Sequence, residues 1–587
     1  MAAGPIFARE ALTAPRRFRH YLMRSGFISG LLVLFYSIRQ ATLGFQDLQL
    51  AGDVATFSNL TFQVFCFLQL TLGLFFATLF SAANVAQEKD RQTLILLLMT
   101  DMRNHELALG KLLASLLIVG VLLTVSLPVF CALRLLGGIT WAQIVWSQAI
   151  IASAALAAGT WGGMVAFWRE KTFQTLAISV MGVVLFVALA EAITAVIGID
   201  NVVGYSISRL SPFRALSEVL DPLAFVTTGE VQVSSFGSVL SLLLLAVALA
   251  GITINRMRVW NPSRQMRMSA METEVSVESV PSKSASPEKK HRTVWHNPVI
   301  WREMCTRAYG RRMIWIKLAY VLLVAAIGWF ASRQAGTASN ELVLGMLTSP
   351  AFAFLGIGIM SLLLLNAQAV TSITNERDGR TLEPLLITDL SAREFMLGKI
   401  GGALWNAREM IVLPVLLLIW MTVSGSVRTL TVENCSYLIL SYLVLAVFAV
   451  TLGLHSGLTY ENSRSAIGNS LGTMFFLFVG IFIFMLLLVE ARSSFAIQMQ
   501  SFIVFIGFGS LALYSSLTHK NPSSALTLAS IALPFLTFYA ITGFLLDGNL
   551  GVCFWICVAY GFTVIAMLIP AMTDFDVALG RNTQDVG

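Results

Sequence analysis

Long uncharged stretches, broken at intervals by short charged ones, set the plan of this chain. The first half predicts membrane spans at about 23–43, 57–86, 107–136, 139–167, 172–198 and 236–255. The second predicts them at about 312–333, 346–374, 395–423, 433–459, 465–490, 494–517, 523–546 and 550–573. Each run has roughly the 20 residues that carry a helix across a hydrocarbon core about 30 Å thick. None alternates with the period of a barrel strand, and backbone groups in lipid must be satisfied within the chain, so helix is the remaining solution. The predicted fold is an all-α polytopic membrane protein with two parallel-repeat halves, residues 1–260 with six spans and 297–587 with eight. Repetition alone would give twelve spans. Fourteen is favoured because His519-Lys520 and both termini then fall on the same, cytoplasmic side.

The polar segments add detail. Residues 4–22 alternate Pro5, Ile6, Phe7 and Leu12 with Arg9, Glu10 and Arg16, which suits a helix lying in the membrane interface. Residues 199–235 are too polar to span and too rich in Leu and Phe for a plain linker, so a re-entrant or surface-lying segment is expected. Residues 261–296, dominated by Ser, Glu, Lys and Pro, bury too little apolar surface to offset ordering entropy and read as a disordered linker. After it, Asn297-Pro298-Val299-Ile300-Trp301-Arg302-Glu303 echoes Gly4-Pro5-Ile6-Phe7-Ala8-Arg9-Glu10. The third span of each half carries Leu-Pro-Val, at 127–129 and 413–415, where a missing backbone donor is expected to kink the helix.

At 56% apolar and 12% charged residues, with mean hydropathy +0.77, the 587-residue chain cannot be a soluble globular protein. The net charge of +7 needs no nucleic acid. All nine lysines, and the clusters Arg16-Arg17-Arg19-Arg24 and Arg302-Arg307-Arg311-Arg312, fall on the cytoplasmic side of the derived topology, as the positive-inside bias requires. Ser37-Ile38-Arg39 follows the first apolar run without a small-residue cleavage site, so that run reads as an uncleaved helix. Cys66, Cys131, Cys305, Cys435, Cys553 and Cys557 are scattered, and neither they nor the six histidines have metal-ligand spacing.

One charged element occurs twice. Residues 88–111 and 376–399 align without a gap and agree at twelve of twenty-four positions. The shared residues include Glu88/Glu376, Asp90/Asp378, Thr93/Thr381, Leu94/Leu382, Leu97/Leu385, Leu98/Leu386, Gly110/Gly398 and Lys111/Lys399. Identity at neutral positions is not expected of two ordinary charged loops. The leucines, spaced three and four apart between acid and base, describe a short amphipathic helix suited to a partner's groove. Gly-Lys then opens the next span, where the lysine can reach the headgroups.

The run of Glu, then Thr-Leu-(Glu)-x-Leu-Leu-x-Thr, then Glu and Gly-Lys, with the Pro-x-x-x-Arg-Glu openings, resembles the ABC-2 type transporter permease family. The resemblance implies six helices per half, an interfacial helix and a cytoplasmic coupling helix between the second and third spans. It implies a separate ATP-binding subunit, two copies of it for a fused chain, that holds ATP and Mg. It also implies export of a substrate across the plasma (inner) membrane, with no cofactor in this chain. The ATPase-docking residues carried over are Glu88, Asp90, Thr93, Leu94, Leu97, Leu98, Glu376, Asp378, Thr381, Leu382, Glu383, Leu385 and Leu386. Two departures stand out: Asp101 and Asp389 replace a frequent proline, and Ile95 occupies the position of Glu383. No Gly-x-x-x-x-Gly-Lys-Ser/Thr stretch is present, so ATP hydrolysis is expected in the partner and this chain is not expected to be an enzyme.

Ionisable residues inside spans are few. Glu191 falls near the outer interface, and Arg408-Glu409 near the inner boundary, where partners are within reach. Other readings of the sequence are a transporter driven by an ion gradient, which calls for several mid-depth acids and inverted repeats, and a non-transporting membrane scaffold.

Overall fold

A computed structural model of the chain describes residues 4–13, 18–42, 51–198, 201–221, 234–261, 295, 297–305, 313–335, 348–379, 390–425, 430–490, 495–519, 523–545 and 549–578. These residues form helices and no strand. The first half contains α1 (Gly4–Thr13), α2 (Phe18–Thr42), α3 (Ala51–Asp90), α4 (Thr93–Leu98), α5 (Asn104–Leu135), α6 (Trp141–Trp168), α7 (Thr172–Ile197), α8 (Val202–Ser208), α9 (Pro212–Leu220) and α10 (Ser235–Trp260). The second contains α11 (Pro298–Cys305), α12 (Met313–Ala335), α13 (Ser349–Asp378), α14 (Ala392–Asn406), α15 (Arg408–Ser424), α16 (Val432–Thr459) and α17 (Ser463–Phe475). A π-helical turn over Phe476–Gly480 leads from α17 into α18 (Ile481–Glu490), followed by α19 (Phe495–Leu517), α20 (Ser524–Leu545) and α21 (Asn549–Ala578).

A helix stands at each of the fourteen expected positions. Among the described residues eleven are long and apolar enough to cross a membrane, and the bent pair α14–α15 makes a twelfth when taken as one span. In α12 the described apolar stretch is Lys317–Trp329. The linker, over 262–294, lies outside the described residues. The segment after α7 folds as two short helices; α9 buries Ala215, Leu216 and Leu220 in the first half's core.

Lipid offers no hydrophobic drive between helices, so close backbone approach through small residues supplies the packing. In α6, a Cβ on Gly162 would lie 2.5 Å from the Thr78 carbonyl oxygen of α3. In α16, a Cβ on Gly453 would lie 2.7 Å from the Asn366 carbonyl oxygen of α13. The side chains at these crossing points also match. Thr78 Oγ1 is 3.4 Å from the Ala158 carbonyl, and Asn366 Nδ2 donates to the Ala449 carbonyl at 2.9 Å. Thr78 and Asn366 are 288 residues apart, and the α6 and α16 positions 291 apart.

The halves share one core. Leu79, Ala82 and Ala83 of α3 and Phe173, Leu176 and Ala177 of α7 belong to the same buried cluster as α13, α16 and α17. Phe75 stacks on Phe475 at 5.2 Å. On another flank α2 meets α19, where Gln40 Nε2 donates to Gln500 Oε1 at 2.7 Å.

Both prolines expected to kink their helices lie inside continuous ones. Pro128 sits inside the unbroken α5, and the 55° bend of the second half falls at Ala407, seven residues before Pro414. Pro414 leaves the Met410 carbonyl without its helical donor, and the Tyr442 hydroxyl supplies one at 2.9 Å. A neighbouring helix thus satisfies the freed acceptor. The break occurs where Asn406 Nδ2 donates instead to the Glu303 carbonyl at 3.1 Å.

Gly453→Val is expected to overpack the α13–α16 crossing at a cost of about 1–3 kcal/mol. The check is the thermal midpoint of monodisperse protein in detergent; a midpoint equal to wild type would contradict the close crossing.

Candidate functional site

The repeated charged element gathers at one end of the bundle, where α3 and α13 finish. The last residues of α3 read Glu88-Lys89-Asp90 and those of α13 read Glu376-Arg377-Asp378. Each triplet makes three equivalent contacts. Glu88 pairs with Lys111 at the start of α5, and Glu376 accepts from Lys399 of α14 at 2.8 Å. Lys89 Nζ donates to the Phe167 carbonyl and, at 2.9 Å, to the Arg169 carbonyl at the end of α6. Arg377 donates to the Tyr460 carbonyl and, at 2.9 Å, to the Gly457 carbonyl at the end of α16. A cation there meets carbonyls that the helix leaves unpaired, at the negative end of its dipole. The Thr172 hydroxyl, on the first residue of α7, donates to Asp90, and the Ser463 hydroxyl, on the first residue of α17, donates to Asp378. Each triplet therefore joins three helices to the end of a fourth.

The triplets also touch each other. Arg91 Nη2 lies 3.3 Å from Asp378 Oδ1, with the Arg91 side chain 43% exposed and Asp378 only 4%. Arg91 aligns with Gly379, so comparing the two inserts gives no hint of this contact. Thr172, Ser463 and Arg302 are further members that lie outside the aligned segment.

In the second half α11 joins the cluster. Lys399, its side chain 1% exposed, donates to Glu303 and Glu376 at 2.8 Å each, and Arg302 contacts both acids. Two carboxylates and two cations balance. Burial by itself pushes the Glu303 carboxyl up, but Lys399 and then Arg302 outweigh it and hold the group below its ordinary value. α11 approaches closely because α14 offers glycine: a Cβ on Gly402 would lie 2.5 Å from Glu303 Cβ, and one on Gly398 2.7 Å from Val299 Cβ. In the first half Gly4, at φ +64°, rests on Glu106 in the same way, while Gly110 and Lys111 are buried in α5.

Glu106 and Glu394 have a local role. Glu106 accepts from the Arg103 backbone N–H and Glu394 from the Ser391 backbone N–H, both at 3.0 Å, closing the first turn of the following helix.

Between these anchor points the first insert turns at Gln92, φ 58°, into the six-residue α4. Leu94 is buried, and Leu97 and Leu98 pack with it against Val85, Leu107, Phe167 and Met257. The leucines assigned to a partner are thus turned toward the chain's own core. The outward apolar side chains are Leu96, 66% exposed, and Met99, 70% exposed, beside exposed Thr93. Five consecutive apolar residues, Leu94 to Leu98, leave the sequence unable to say which face turns inward. The equivalent stretch of the second half, with Thr381, Leu382, Glu383, Leu385 and Leu386, lies outside the described residues.

The charges within spans have partners. Glu191 pairs with Arg214 at 3.0 Å and accepts from the Ser211 hydroxyl. Glu409 pairs with Lys317 at 2.7 Å and lies 3.5 Å from Arg408, whose guanidinium stands 4.7 Å from the Trp405 ring centroid. Among the described residues no group of three or more His, Cys, Asp and Glu is placed to hold a metal ion. No family model, curated protein or solved structure matches this chain.

Lys399→Met removes one cation from a buried set and leaves two carboxylates to share Arg302 alone, at an expected cost of about 3–5 kcal/mol. A carboxylate with a lowered folded value contributes its stability above the unfolded value, about 4.3 for Glu, and loses it as pH falls through the folded one. Thermal midpoints measured across pH should show the gap to wild type widest near neutrality and closing below about pH 4, as the acids protonate. A gap independent of pH would contradict the charge network.

Proposed function

We propose that this chain is the membrane subunit of an ATP-driven exporter, built from two repeated permease halves, with nucleotide hydrolysis in a separate ATP-binding subunit. The observation that carries the reading is the matched triplet. The same three contacts recur at the ends of α3 and α13, and the Gly162–Thr78 and Gly453–Asn366 crossings recur above them. Such an arrangement suits transmission: a displacement of the insert is delivered through salt bridges to the ends of several membrane helices together. In this reading the inserts face the cytoplasm, as do both termini, and each receives one copy of the partner holding ATP and Mg. The Arg91–Asp378 contact would keep the two strokes in step. The pairing of Glu191 and Glu409 with basic residues favours this reading over ion-gradient coupling, because free mid-depth acids are what that chemistry requires.

The docking surface on the first insert is then Thr93, Leu96 and Met99, while Glu88 and Glu376 serve inside the bundle. Charge reversal at those two acids would set like charges against Lys111 and Lys399 and disturb the fold, so it does not test docking. Leu96→Asp with Met99→Asp does. The double variant is expected to remain monodisperse yet lose at least ten-fold of the ATP-binding subunit that copurifies with wild type from native membranes. Unchanged recovery of that subunit, or ATP hydrolysis by the chain purified alone, would overturn the assignment.

A further inference from the structure

The first half encloses a cavity of about 410 Å³ between α3, α6, α7 and α10, closed on one side by Ala319 of α12. Its wall is apolar, formed by side chains such as Leu74, Met181, Phe186, Leu242 and Leu249. The indole of Trp161 also lines it, but its Nε1 already donates to the Ser179 carbonyl at 3.1 Å. Nothing in that wall would hold water, which needs two to four polar partners. A dry void would forfeit dispersion contact along its whole lining. Leu189 of the lining is 48% exposed on the outside of α7, where the surrounding medium is hydrocarbon.

The dimensions are those of one leaflet. Along α7 the lining runs from Ile178 to Leu189, about 16 Å at about 1.5 Å per residue. Half of a hydrocarbon core about 30 Å thick is about 15 Å. Two residues beyond Leu189 the chemistry turns ionic at Glu191, paired with Arg214 of α9. The occupied leaflet is thus the one opposite the charged triplets.

Next to the lining in the chain stands one cation with no acid assigned to it. Pro212 lines the cavity, and Arg209 precedes it by three residues. The Arg209 guanidinium lies 4.3 Å from the Tyr205 ring centroid and donates to the Tyr205 hydroxyl at 3.0 Å. It lies over the start of α10, where a Cβ on Gly237 would be 3.0 Å from Arg209 Nε. The Arg209 carbonyl accepts from Ser241, the residue before Leu242 of the lining. Among the described residues no carboxylate pairs with Arg209, and its buried Nε has no hydrogen-bond partner, whereas Arg214 has Glu191. A planar guanidinium at headgroup depth is complementary to phosphate.

We infer that this is a phospholipid site, with one acyl chain in the cavity and the phosphate at Arg209. The inference is independent of the transport reading. Trp161 provides the reporter, because bromine on an acyl chain quenches an indole it touches. The full chain is reconstituted in vesicles of unbrominated digalactosyldiacylglycerol, a bilayer without phosphate. It is then titrated with brominated-chain phosphatidylglycerol or with brominated digalactosyldiacylglycerol. The Trp161 signal is the difference between wild type and Trp161→Phe. Phosphatidylglycerol is expected to reach half-maximal quenching at a mole fraction at least three-fold below the galactolipid, and Arg209→Gln to erase that difference. The comparison of two lipids on wild type stands even where a variant folds poorly. Superimposable curves for the two lipids in wild type, or a Trp161 signal quenched by neither, would overturn the site.

Discussion

Everything at the charged end of this bundle depends on an acid at the last turn of one long helix meeting a lysine about two turns into the next. Glu88–Lys111 and Glu376–Lys399 are both largely withdrawn from water. Attraction between charges grows as the local dielectric falls, and so does the cost of losing a partner. The pairs therefore act as fixed joints between helices whose apolar faces would slide freely in lipid. Around each joint the neighbouring Lys or Arg and Asp close the ends of two more helices, so that the termini a bilayer cannot solvate are satisfied by one short segment of chain.

The two halves use this device with different strengths. In the second half Arg302 and Glu303 extend the pair into a four-membered set roofed by α11, pressed close by Gly398 and Gly402. In the first half the triplet leads instead into α4, which rests on its own small core. Arg91, reaching from the exposed side of one triplet to the buried acid of the other, ties the unequal pair together.

Far from the charged end, the same first half opens toward the bilayer rather than closing on itself. Its large aliphatic side chains line a void instead of filling it; Glu191 pairs with Arg214 beside it, while among the described residues no carboxylate pairs with Arg209. A membrane protein need not complete its own packing where hydrocarbon is the solvent, and a leaflet-deep apolar slot under a cation uses that freedom.

Much was legible in the sequence. Hydropathy determined that the chain is helical and polytopic, because lipid leaves an uncharged run of twenty residues no other way to satisfy its backbone. Internal identity marked the residues from 88 to 111 and from 376 to 399 as special. Where those side chains point was decided only by tertiary structure. Leu94, Leu97 and Leu98 turn inward because the ends of α3, α5, α6 and α10 offer them a core, and an unbroken apolar run carries no moment to announce it. The donor that Tyr442 gives to the acceptor freed by Pro414, and the bond from Asn406 to Glu303 beside the bend at Ala407, both come from elsewhere in the chain. Local sequence specifies the helix; which acceptor finds a donor, and which charge finds its opposite, is settled by neighbours brought close only when the helices pack.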